Sequence, residues 1–275
     1  MISFQQFFKF KQIHQAVCRL GLATRGNTRL QKEDALQVLE RGINYWNWCG
    51  HEDGMSQAIR ELSFQRREVV IAIQLGSRDA EGARQELDQS LTHLKTNYLD
   101  VVTFYYVESS IEWNEITRSG GALNALKRAQ EEGAVRMIGI TTHQRRLAAE
   151  ILRSQMLDLL MVRYNAAHRG AEMEIFPLAE RLEIPIVTFT SLRWKALLQP
   201  TPEDPKLFAP LAAREWYRFA LASPAVSVAL MAPENRSELL ENLKLIGDWK
   251  PPSEEEYSEM VLHGERVRRH AGRFP

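Results

Sequence analysis

Short apolar runs rich in β-branched residues alternate along the whole chain with longer segments whose apolar positions recur every three or four residues. Such alternation is the pattern of repeated βαβ units. It predicts strands at Cys18 to Thr24, Asn44 to Trp48, Val69 to Leu75 and Val101 to Val107, and then at Val135 to Thr141, Leu157 to Tyr164, Ile184 to Thr190 and Ala225 to Met231. The helical segments between them carry their own stop signals. In KEDALQVLERG, Ala35, Leu36 and Leu39 make one stripe and Gly42 ends it; Leu87, Leu91 and Leu94 mark another helix, and a third ends at Gly133. Nearly continuous apolar strands, each followed by a helix, imply a parallel sheet covered on one face and closed on the other. The predicted fold class is α/β, a (β/α)8 TIM barrel.

Two further features punctuate the pattern. Pro200, Pro202, Pro205 and Pro210 forbid a continuous helix and mark a long loop after the seventh strand, on the face where loops serve a site. PPSEEEYSEM opens an additional C-terminal helix with Ser253 as N-cap and three glutamates at its positive end. An open doubly wound sheet is the rival architecture, but Gly21 lies inside the first strand and Gly26 stands alone beyond it, so the GxGxxG turn is missing. With 275 residues and no linker or longer repeat, residues 1–275 read as a single barrel domain.

Composition narrows the partners. The 35 Lys and Arg balance 35 Asp and Glu, which gives no general attraction to nucleic acid or to an anionic membrane. Cys18 and Cys49 supply neither a disulfide framework nor metal-ligand spacing. The opening MISFQQFFKFKQIHQAV has no apolar stretch of signal-peptide length, and no later run approaches the ~20 apolar residues of a membrane span. A cytoplasmic protein with a small-molecule substrate is the expectation; protein partners are not legible.

In such a barrel the chemistry sits at the C-terminal ends of the strands. The ring of candidates there runs from Asn47, Trp48, Cys49 and His51 through Gln74 to Tyr105, Tyr106 and Glu108. Thr141, Thr142, His143, Arg163, Asn165 and His168 continue it, followed by Phe189, Ser191, Arg193, Glu234, Asn235 and Arg236. Few carboxylates stand at strand ends, so a hard-metal site lacks ligands. His51, His143 and His168 follow three different strands, but loop histidines are more often solvated or hydrogen-bonded than zinc ligands, and no metal is expected. There is no GxSxG elbow, and Cys49 beside His51 reads as a small packed hydrophobe. Asn235 and Arg236 open the eighth helix, which suits either an anion at its N-terminus or a plain N-cap with a solvated arginine. Trp46, Trp48, Tyr105 and Tyr106 fit either an aromatic pocket or packing of the barrel and its rim.

CRLGLAT, GINYWNW, NYLDVVTFYY, GAVRMIGITTH, RYNAAHRG, IPIVTFTSL and APENRSELLENL, taken in that order, resemble the aldo/keto reductase family over essentially the whole chain. The resemblance implies NADP(H) bound across the C-terminal face without a Rossmann domain. It also implies hydride transfer to a carbonyl carbon, with a tyrosine acid tuned by a lysine, an aspartate and a histidine. At the matching positions this chain has Asn47 for the aspartate, Glu52 or Asp53 for the tyrosine, Gln74 for the lysine and Tyr105 for the histidine. Asn47 and Gln74 can hydrogen-bond to each other where the charged pair would meet. On the cofactor side, Phe189 matches the aromatic that stacks on nicotinamide, and Thr141, Thr142 and Asn165 match polar positions near its carboxamide. Ser191, Asn235, Arg236 and Asn242 complete the implied cofactor set. NADP is the cofactor the resemblance implies, with NAD as the alternative, because Glu234 stands where relatives often carry a lysine and a carboxylate repels a 2′-phosphate.

Three functions follow as expectations. One is a divergent NAD(P)(H)-dependent oxidoreductase acting on a small carbonyl compound, with Asn47, His51, Gln74 and Tyr105 as its catalytic group and Tyr105 as substitute acid. The second is a catalytically inactive or regulatory nucleotide-binding barrel. The third is a non-redox elimination or isomerisation with His51 or His143 as base.

Overall fold

The computed structural model describes residues 4–272; the first and last three residues of the domain expected at 1–275 lie outside the described residues. The chain opens with a two-stranded antiparallel hairpin, β1 (Phe7–Phe8) and β2 (Val17–Cys18). Eight parallel strands then close into a barrel in sequence order: β3 (Leu20–Ala23), β4 (Tyr45–Asn47), β5 (Val70–Leu75), β6 (Leu99–Phe104), β7 (Val135–Thr142), β8 (Leu159–Arg163), β9 (Ile186–Phe189) and β10 (Val226–Met231). The surrounding helices are α1 (Lys32–Glu40), α2 (Gly54–Glu61), α3 (Ala80–Leu94), α4 (Ser110–Thr117), α5 (Ala122–Glu131) and α6 (Arg145–Ser154). After them come α7 (Ala171–Glu174), α8 (Phe176–Leu182), α9 (Ala213–Ala222), α10 (Arg236–Gly247) and the additional α11 (Glu254–His270). The fold is the predicted barrel with a C-terminal helix.

Period-two alternation sorts each strand into two cores. Tyr45, Val70, Val101, Met137 and Leu159 point into the barrel, whereas Trp46, Ile71, Val102, Ile138 and Leu160 face the helices. Trp46 is therefore wholly a packing residue. The same alternation carries the inward set upward to Asn47 and Gln74 at the strand ends. Below, Phe10, Ile13 and Val17 from the hairpin fill the N-terminal mouth, Phe10 stacking on Tyr45 at 6.3 Å. This plug is not among the predicted elements.

Local signals behave as their chemistry requires. Gly42 and Gly133 take positive φ (82° and 79°) just beyond α1 and α5. Ser253 caps α11, its side chain accepting from the Glu256 amide. The fourth predicted strand was expected to run to Val107, yet β6 stops at Phe104, because Tyr106 turns left-handed (φ 40°) and breaks the extended run. Four prolines keep the segment from Gln199 to Pro210 irregular, as predicted.

Candidate active-site cleft

A cleft of about 1200 Å³ opens at the C-terminal end of the barrel. Its floor is made by strand-end residues that point inward, among them Ala23, Asn47, Gln74, Met161, Phe189 and Leu230. Trp48, Cys49 and His51 form one wall, Tyr105 and Tyr106 another, and the segment from Thr190 to Lys195 a third. Glu238, Glu241 and Asn242 of α10 line the far end.

Of the residues picked out by sequence, Asn47, His51, Gln74, Tyr105, Phe189, Ser191 and Asn242 meet in this cleft. Thr141 lies just beneath the floor, its hydroxyl accepting from Gln74 Nε2 at 2.9 Å. Thr142 and Asn165 sit outside the cleft lining: Thr142 Oγ1 accepts from the Gln144 amide, and Asn165 Nδ2 donates to Thr190 O at 2.8 Å. Asn235 caps α10, accepting from the Glu238 amide at 3.1 Å, and Arg236 is ion-paired to Asp34 of α1. Neither of these lines the cleft, so the anion site considered for this helix start is a capped terminus whose arginine has a carboxylate partner.

Residues 19–207 match the model of the Aldo/keto reductase family. The chain belongs to this family. Among curated relatives, "Uncharacterized oxidoreductase YqkF" of Bacillus subtilis (strain 168) is 24% identical over 202 residues, covering 67% of this chain and 62% of that protein. "NADH-specific methylglyoxal reductase" of Escherichia coli (strain K12) is 22% identical, covering 62% of this chain and 46% of its own length. The matches thus span less than two thirds of these relatives. The solved "aldo-keto reductase AKR11C1 from Bacillus halodurans (holo form)" superposes with a TM-score of 0.74 at 17% identity, covering 95% of this chain and 96% of that one.

The centre of this aldo/keto reductase cleft is neutral in an unexpected way. Asn47 and Gln74 do not bond to each other: Gln74 turns its amide nitrogen to Thr141 and to Met161 Sδ at 3.5 Å, while Asn47 Oδ1 has no partner. Glu52, five residues after Asn47, faces outward, where Arg60 of α2 (2.6 Å) and His93 of α3 (2.9 Å) bind it. The Arg60 hydrogen bonds hold its carboxyl down at about 2. Asp53 caps α2 by accepting from the Ser56 amide. Neither residue lines the cleft; His51 does.

Two histidines, His143 and His168, line a small hollow separate from the cleft. His143 stacks on the Tyr106 ring at 4.5 Å, and its Nδ1 lies 3.1 Å from Glu108 Oε1. Burial first, and the neighbouring Tyr105 second, push the Tyr106 phenol up to about 12, which makes it a weak proton donor. Burial, with Arg163, Arg193, Arg268 and Arg145 adding repulsion, holds His168 down at about 4. No three His, Cys, Asp or Glu side chains are grouped to hold a metal among the described residues.

A pH prediction follows for His168. Its folded pKa lies below the unfolded 6.5, so the unfolded chain binds the extra proton first. The stability contribution is complete above 6.5 and falls as the pH drops toward 4. Urea midpoints measured across that window should decline, and His168→Gln should flatten the decline; an unchanged profile in the variant would refute the assignment.

Sequence reasoning missed the cations at the far end. Lys195 Nζ lies 2.6 Å from Glu238 and 3.1 Å from Glu234, with Arg25 at 3.6 Å from Glu234. Lys195 reaches them from a left-handed turn, Arg193, Trp194 and Lys195 having φ of 51°, 54° and 68°. Three such residues in succession store about 1–2 kcal/mol each. The turn is tied down by Arg193, whose Nη2 donates to Gly272 O at 3.0 Å just beyond α11. Arg193, itself in the candidate ring, and the proline-rich stretch that follows were the sequence signals near it.

Proposed function

We propose that this protein is an NAD(P)(H)-dependent oxidoreductase acting on a small compound with a polar double bond. One observation carries the reading: Ser191 Oγ and Asn242 Oδ1 are buried without a hydrogen-bond partner, and both residues line the same cleft as Phe189. A buried polar atom left unpaired costs about 1–3 kcal/mol, which a ligand lying along the cleft would recover. A dinucleotide suits this donor and acceptor set, with Phe189 against the flat nicotinamide ring and Ser191 and Asn242 along the remainder. When bound, such a group supplies two electrons and a hydrogen to the substrate.

This chain's own residues would orient the substrate through the Asn47 and Gln74 amides. Tyr105, at the solvent-facing wall, carries the hydroxyl proton that bulk water can replace. Two cations, Arg25 and Lys195, face two carboxylates, Glu234 and Glu238, at the far end. That balance offers a 2′-phosphate no net attraction, so NADH should bind about as well as NADPH. Relatives named methylglyoxal reductases make small aldehydes the first substrates to try.

Fluorescence titration with both dinucleotides tests the reading. Binding of at least one is expected, and Ser191→Val should weaken it about tenfold while leaving stability unchanged or higher, since it removes a hydroxyl that is unpaired in the free protein. Failure of the wild-type chain to bind either dinucleotide would overturn the proposal. Binding without turnover of any aldehyde, ketone or imine would point to a regulatory barrel, which the neutral floor also accommodates.

A further inference from the structure

The floor of the cleft has a hydrogen-bonding polarity set by a one-way file of hydroxyls. Thr103 Oγ1 must donate to the carbonyl of Ile73, 3.3 Å away, because a carbonyl only accepts. Its oxygen therefore receives the Thr141 hydroxyl at 3.5 Å, and Thr141 in turn receives Gln74 Nε2 at 2.9 Å. The Gln74 amide is oriented by this file, and its carbonyl Oε1 is the end left for the cleft. On the neighbouring strand, Asn47 is 5% exposed and its Oδ1 has no partner. The floor thus holds the Gln74 acceptor oxygen, the unpaired Asn47 oxygen just beneath the surface, the Met161 thioether and the Phe189 ring, with Tyr105 and Tyr106 on the wall beside them.

A carbonyl substrate brings another acceptor and would meet these oxygens unfavourably. A cation with an N–H group meets them well, and aromatic faces add attraction when the site is dry. The basic residues described in the cleft stand away from its floor: Arg25, Lys195 and Lys244 line the α10 end, where Arg25 and Lys195 face Glu234 and Glu238, and Arg163 lines a separate small hollow with His143 and His168. We propose that the floor selects an organic cation bearing N–H, a protonated imine as substrate and the corresponding amine as product.

This inference rests on the oxidoreductase reading for its chemistry, and the chemistry explains the absent acid. When the carbon of a protonated imine accepts hydride from a reduced nicotinamide dinucleotide, a C–H bond forms and the C=N π pair moves onto nitrogen. The dinucleotide is oxidised, the substrate becomes a neutral amine, and no proton is drawn from the protein. Water then protonates the amine.

Calorimetric titration of the full chain with 2-methyl-1-pyrroline, kept below its own pKa, and with a cyclopentanone of similar shape tests the proposal. The imine should bind about tenfold more tightly than the ketone. Asn47→Asp should tighten imine binding further, and Gln74→Lys should weaken it by about tenfold or more through like-charge repulsion. Equal or tighter ketone binding by the wild-type chain, or imine affinity indifferent to Gln74→Lys, would overturn it. Parallel dinucleotide titrations keep the two readings apart. Imine binding without dinucleotide binding upholds the cation site and removes the oxidoreductase, whereas dinucleotide binding with ketone preference does the reverse.

Discussion

Asn47→Asp, Gln74→Lys and His51→Tyr, introduced together, should raise the reduction of small aldehydes by about 10²-fold or more. A carbonyl oxygen that gains electrons needs a proton, and the floor of this cleft offers only amides and a thioether. The triple change installs a phenol on the wall and an ion pair beneath it, so that the new ammonium lowers the phenol's pKa. Position 51 is chosen over 52 because Glu52 is turned away by Arg60 and His93 while His51 lines the cleft. Consumption of reduced dinucleotide against aldehyde concentration is the readout, and a titrating limb should appear in the pH profile. A flat rate from a variant with native circular dichroism and intact dinucleotide binding would show that the missing acid is not what limits carbonyl reduction here.

Arg19→Met should cost about 3 kcal/mol or more of folding stability, although no carboxylate among the described residues is bonded to this arginine. Arg19 is 5% exposed, and its guanidinium donates to the carbonyls of Val226 (2.7 Å), Leu221 (3.0 Å), Ser223 (3.1 Å) and Gln5 (3.1 Å). These bonds join β3, the start of β10, the end of α9 and the N-terminal segment at the base of the barrel. Burial without a counter-charge lowers the arginine's pKa to about 10, yet it stays charged at neutral pH. Methionine keeps the packing volume but leaves several carbonyls unpaired. Lysine should rescue only part, because a single ammonium cannot reach four acceptors arranged around a planar fork. Urea unfolding gives the measurement, and a loss below about 1 kcal/mol would mean that water replaces the clamp at no cost.

The legible part of the molecule is what repeats locally. β5 was expected at Val69 to Leu75 and found at Val70–Leu75, and β7 was expected at Val135 to Thr141 and found at Val135–Thr142. Ser253 and Asn235 cap the helices they were expected to open, since a cap needs only its own first turn. The hairpin plug was missed because Phe7, Phe8 and Phe10 are spaced among polar residues with no clear period. Arg19 was passed over inside an apolar strand, where one charged residue looks incidental until four carbonyls converge on it.

The site divides along the same line. Sequence position alone put Asn47, Gln74, Tyr105 and Phe189 at strand ends, because the two-residue period of a strand fixes which side chains turn inward. Whether those side chains meet depends on partners remote in sequence. Arg236 is held by Asp34, Glu52 by residues on two helices, and Gln74 by a hydroxyl on β7 that is itself bonded to one on β6. Hydrophobic periodicity, a property of neighbouring residues, determined the closed barrel and the face that carries the cleft. The direction of each polar group in that cleft was decided only by tertiary structure, because a hydrogen bond takes its sense from the donor or acceptor across from it, and no local pattern records what that partner is.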